Sequence, residues 1–165
     1  MIDDLEKQIA STLDLVSDKD TLEGGISDRQ WTELIKEGLC NLGHSHGYDV
    51  SAAGCKGAKT GEWMFDLMWA SSENDFFKEM PLVVECEWSL DIDQQVWDFE
   101  KLLIAKAQHK LFIFQHGSES EVKNVIGHLS KAIDKFKTRL DGERYMLSGW
   151  SGEKKKFIHQ IIKST

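Results

Sequence analysis

The sequence predicts an α/β protein built on a mixed central sheet flanked by helices. Three observations carry this expectation. Apolar residues recur at helical spacing in four separate segments. Short alternating or continuous apolar runs lie between those segments. The elements follow the order helix, helix, strand, strand, strand, helix, strand, helix, then a hairpin-like tail. Three strands in succession before a helix and a fourth strand do not fit a purely alternating parallel sheet.

Taken in order, Ile2, Leu5, Ile9, Leu13 and Val16 predict an amphipathic helix over 2–16. The polar stretch from Ser17 to Gly25 ends in Gly24-Gly25 and reads as a loop. Ser27 stands three residues before Gln30, a capping-box signature that opens a second helix. Trp31, Leu34, Ile35, Leu39 and Leu42 form its stripe, and Gly43 ends it. A short strand is expected over 47–53, followed by a Gly/Lys loop over 55–61. Residues 62–69 alternate, with Trp63, Phe65, Leu67 and Trp69 on one face and Glu62, Met64, Asp66 and Met68 on the other.

Pro81 opens the next strand, Leu82 to Trp88, since proline is tolerated at a strand's first residue. Ile92, Val96, Phe99, Leu103 and Ala107 restore the helical period. Leu111-Phe112-Ile113-Phe114 reads as a strand buried on both faces. Ser118 and Glu121 form a second capping box, and apolar residues from Val122 to Leu140 mark a long helix. Two short strands, 144–150 and 157–162, close the chain.

With 165 residues, a hydrophobic share of 41%, six Trp and eight Phe, the chain suits a single domain over 1–165 with one core. No apolar run approaches the roughly 20 residues of a membrane helix. The acidic start, Met1 to Asp4, lacks the basic-then-apolar order of a secretory signal. Cys40, Cys55 and Cys86 form no CxxC pair, and an odd number argues against a disulfide framework. A cytoplasmic protein with reduced thiols is the expectation. The net charge of −8 counts against a tight grip on nucleic acid through the overall field. Lys131, Lys135, Lys137 and Arg139, and Lys154 to Lys156, read as solvated faces.

The chemistry-bearing residues are acidic. Glu85 and Glu87 share a strand face, with Cα atoms roughly 6.5–7 Å apart. If that strand pairs with the one carrying Asp66, three carboxylates converge, and their repulsion calls for protons or a cation. Oxygen ligands suit Mg²⁺ or Mn²⁺. Alternating acids are by themselves what a wet strand face looks like. Here, however, the run Val83-Val84-Glu85-Cys86-Glu87-Trp88 surrounds them with apolar neighbours, and glutamate is rarely buried without a partner.

This arrangement resembles the PD-(D/E)XK (restriction-endonuclease-like) nuclease superfamily over about 28–116, where the core runs helix, three strands, helix, strand. The segments 2–16 and 118–162 would then be additions at either end. The resemblance implies a restriction-endonuclease-like core in which Asp66 and Glu85 bind divalent metal, Mg²⁺ or Mn²⁺. It places Glu87 where the superfamily's lysine usually stands. Lys101 is the first candidate to replace that lysine from the following helix, and Lys106 the second. Glu37, rather than Glu33, is the better match for the superfamily's acid on the preceding helix.

The function implied is metal-dependent hydrolysis of phosphodiester bonds, with DNA as the expected substrate. The alternative is a nuclease-like domain without catalysis that binds protein or nucleic acid, as a homodimer or with another chain. No phosphate-binding glycine loop or activated nucleophile motif supports a different enzyme class.

Overall fold

The computed structural model describes residues 2–23 and 25–164, with the backbone alone for residues 20–23. Among the described residues there are four helices: α1 (Asp4–Glu23), α2 (Asp28–Ser45), α3 (Ile92–Ile104) and α4 (Glu119–Lys135). They flank a sheet of six strands, β1 (Asp49–Ala52), β2 (Leu67–Glu73), β3 (Phe76–Glu87), β4 (His109–His116), β5 (Arg144–Ser151) and β6 (Lys156–Lys163). Spatial order follows chain order. β1, β2 and β3 form an antiparallel meander, β3, β4 and β5 run parallel, and β6 returns antiparallel. The expected α/β fold with a mixed, helix-flanked sheet is what the chain adopts.

The sheet divides the core into two layers. On one face Ile9, Leu13, Ile35 and Leu39 of α1 and α2 meet Val50, Leu67, Trp69, Leu82 and Val84. On the other, Phe99 and Leu102 of α3 and Val122 and Leu129 of α4 meet Val83, Phe112, Phe114 and Leu147. Burial of each such side chain stabilises the fold by about 1.5–3 kcal/mol before its entropy cost. Both capping boxes form: the Ser27 hydroxyl takes the Gln30 N–H while the Gln30 side chain accepts from the Ser27 N–H, and Ser118 and Glu121 do the same on α4.

Four boundaries depart from the sequence expectation. The expected loop after residue 16 is helical: α1 runs on to Glu23, and of the Gly24-Gly25 pair Gly24 lies outside the described residues. Buried Ser17, whose hydroxyl reaches the Lys155 carbonyl, shows tertiary packing overriding a polar composition there. Gly43 does not end α2, which continues for two residues. α3 stops at Ile104, so Lys106 and Ala107 lie beyond it, and α4 stops at Lys135 with Leu140 exposed.

The β2–β3 hairpin was least legible. Its turn is Asn74-Asp75, both at positive φ (52° and 66°), the geometry of a two-residue hairpin turn. β3 thus begins five residues before Pro81. The proline is tolerated because the β2–β3 register shifts between Trp69 and Ser71, while pairing with β4 begins only at Leu82.

Candidate functional site

The carboxyl ends of β3 and β4, where the chain leaves for α3 and α4, carry the candidate site, as open α/β sheets favour. Asp66 arrives there by an abrupt turn. The expected alternation over 62–69 breaks at Met64, which sits at φ 69° in the left-handed region with Trp63 exposed. Phe65 consequently joins the layer under α3, while Leu67 and Trp69 face α2. β2 begins only at Leu67, opposite Val84, so Asp66 falls opposite Glu85 at the strand's mouth. Its Oδ2 accepts the Cys86 N–H at 2.8 Å.

Two lysines run through the acidic groups. Lys36 of α2 reaches across the sheet end, with Nζ 2.6 Å from Glu62 Oε1 and 3.7 Å from Asp66 Oδ1. Burial works against its charge, but Glu62 and Asp66 outweigh that and hold its pKa above the ordinary lysine value. Lys101 of α3 lies 2.6 Å from Glu85 Oε2 and 2.8 Å from Asp98 Oδ1. Burial again opposes the charge, and Asp98 and Glu85 again raise the pKa.

Glu85 is the unusual member. Its side chain is 3% exposed and its Oε1 is buried with no hydrogen-bond partner. Burial pushes its carboxyl up to about 7, against the pull of Lys101 and with the help of the Asp66 charge. An orphaned carboxylate oxygen in such a place fits an oxygen-seeking cation. Glu87 is differently engaged. Its Oε1 accepts the Ser89 N–H at 2.6 Å, and its carboxyl lies near that of Asp98. Burial and the Asp98 carboxyl raise its pKa, against the Ser89 N–H. Glu87 and Asp98 also line, with Asp93, Gln94 and Trp97, an open cleft of about 400 Å³.

The structure therefore brings Asp66, Glu85, Glu87 and Lys101 to one end of the sheet, but three expectations need correction. Asp66, Glu85 and Glu87 do not close on a single point: among the described residues the one set of three ligating side chains with atoms within 4.8 Å of one another is Asp3, Glu6 and His109. Glu87 is turned to the Ser89 backbone and Asp98 instead. Glu37 is exposed on α2, and Glu33 pairs with Arg29 at 2.8 Å, so the side chain that α2 sends to the site is Lys36. Lys106, past the end of α3, is exposed and lines a cleft with Gly142 and Glu143 at the other end of the sheet.

Sequence reasoning missed Lys36, Glu62 and Asp98. The available signal for Lys36 was its lane on α2, four residues before Cys40 and seven before Gly43, all three of which are buried.

The Asp3–Glu6–His109 set has another occupant. Arg144 donates to Glu6 through Nε at 2.7 Å and through its terminal nitrogen at 2.6 Å, and also reaches Asp3 at 3.0 Å. Compared with known proteins, the chain matches no family model, no curated protein and no solved structure.

Proposed function

We propose that the chain is a metal-dependent phosphodiesterase of the PD-(D/E)XK kind, acting on DNA, with Asp66 and Glu85 as its metal ligands. One observation carries this reading: a fully buried glutamate at the end of a central strand keeps one carboxylate oxygen unpaired beside a second carboxylate. Two carboxylates suffice, because Mg²⁺ commonly takes one or two from the protein and completes its shell with water and substrate oxygens. The run α2, β1, β2, β3, α3, β4 also follows the helix, three strands, helix, strand order of that superfamily.

When bound, the ion would supply charge neutralisation at the scissile phosphate and an acidified water. The chain's own groups have separate tasks. Lys101, fixed by Glu85 and Asp98, keeps a third N–H for a phosphate oxygen. Glu87, whose pKa burial and the Asp98 carboxyl raise, stands at the site's edge as the group suited to give a proton to a leaving oxygen.

One observation favours a second reading, a nuclease-like domain that binds without hydrolysis. Lys36 and Lys101 already neutralise the carboxylates from within, and the net charge of −8 does not draw a polyanion in. Calorimetric titration with Mn²⁺ and a cleavage assay on plasmid and single-stranded DNA separate the two. Metal-dependent cleavage that disappears in Asp66→Ala supports the nuclease. Absence of heat at millimolar Mn²⁺, or full cleavage by Asp66→Ala, sinks it.

A further inference from the structure

Lys36 is a buried lysine that α2 aims at the site and that the proposed hydrolysis does not use. Its side chain is 9% exposed, against 49% for Glu62 and 26% for Asp66. Asp66 Oδ2 is taken by the Cys86 N–H, which leaves Oδ1 as the oxygen open to a cation. Oδ1 is also the oxygen that Lys36 faces, at 3.7 Å. An ammonium and a divalent ion cannot share that oxygen closely, because like charges at such range repel strongly away from bulk water. Lys36 has somewhere else to go: its contact with Glu62, at 2.6 Å, is already the shorter one.

We propose that Lys36 and Glu62 form a tethered counter-ion latch, in which the Lys36 ammonium stands in for a divalent cation at Asp66 and Glu62 draws it aside when the ion enters. The proposal rests on the assignment of Asp66 as a metal ligand. It makes Lys36 a positioning residue that sets metal affinity. Glu62, in the loop between β1 and β2, is its second berth. The competing account is a plain structural ion pair that pins this loop onto α2.

The two accounts differ in sign. In the latch, removing Lys36 unmasks Asp66, whereas removing Glu62 leaves Lys36 with Asp66 as its nearest anion. A structural pair predicts the same direction of loss from either side. The test is calorimetric titration of the full chain with Mn²⁺, comparing wild type, Lys36→Met, Glu62→Gln and the double variant, each checked by thermal melting. Lys36→Met should bind Mn²⁺ about tenfold more tightly and Glu62→Gln several-fold more weakly. The double variant should match Lys36→Met, since Glu62 acts only through Lys36.

Equal binding by all four proteins, or weakening by both single variants, overturns the latch and leaves the metal site standing. No binding by wild type or Lys36→Met overturns both the latch and the metal reading. Binding by Lys36→Met alone would make Lys36 a permanent block, which overturns the latch and sinks the native chain's metal dependence. If Lys36→Met fails to fold, Lys36→Gln takes its place: tighter Mn²⁺ binding than wild type supports the latch, and unchanged or weaker binding overturns it.

Discussion

The two ends of the central sheet both bury a glutamate, and they treat it differently. At the amino ends of β4 and β5, Glu6 is 1% exposed, yet Arg144 meets both its oxygens and the Asp3 N–H adds a third donor. The nearby Lys110, fully buried, is closed by Glu143 at 2.8 Å and the Tyr145 hydroxyl at 3.1 Å. At the carboxyl end, Glu85 is buried as deeply, but its partner is a lysine, and a single ammonium contact leaves Oε1 open. A guanidinium fork satisfies a carboxylate on two sides, whereas an ammonium is a point charge. The comparison teaches that deep burial alone does not mark a functional carboxylate. What marks Glu85 is that burial goes unpaid on one oxygen.

That contrast can be broken most forcefully at the closed end. Arg144→Met should destabilise the fold by roughly 3 kcal/mol, read by urea denaturation, because it strands Glu6 without its counter-charge. A loss under about 1 kcal/mol would mean that the network is ornamental.

At the open end the sign should reverse. The Glu85 carboxyl titrates near 7 in the fold and near 4.5 when free, so its bound proton contributes stability that is complete below about 4.5 and lost as pH rises through about 7. Glu85→Gln, neutral throughout, should therefore stabilise the metal-free protein by about 2 kcal/mol at pH 8, with the gain fading towards pH 5. Denaturation curves at both pH values in chelator check this, and destabilisation at pH 8 would contradict it. The smallest effect is expected at Glu37. Glu37→Ala should leave Mn²⁺ affinity unchanged and stability within about 0.5 kcal/mol, as at other exposed helix positions away from the site.

Much of the architecture was legible because local signals and burial agree. The capping boxes at Ser27 and Ser118 start their helices where expected, and the apolar run around Leu111 to Phe114 is the doubly buried β4. The mixed character of the sheet followed from element order. The failures are equally physical. A polar composition at Ser17 reads as loop until its contact with the β5–β6 turn is known. Alternation from Trp63 to Trp69 counts side chains and cannot register the left-handed Met64 between them.

In the candidate site, strand position pointed to Asp66 and Glu85, and the resemblance pointed to Lys101. Glu37 was favoured over Glu33 and Lys36 was passed over because the resemblance calls for an acid on that helix, whereas burial at the sheet end selects Lys36. Glu62 and Asp98 gain their roles only through the two lysines, a dependence that no one-dimensional spacing encodes.

The contact between Gly43 and Trp69 bears on all of this. The Trp69 indole, hydrogen-bonded to the Leu39 carbonyl at 3.1 Å, lies so close to α2 that a β-carbon on Gly43 would fall 2.6 Å from its nitrogen. The bare backbone at this point thus fixes how near the helix can rest on the sheet, in the lane that Lys36 also occupies and against a tryptophan three residues on from Asp66. A methyl group inserted there would act as a shim, lifting the arm that carries the ammonium and resetting the spacing on which its reach depends.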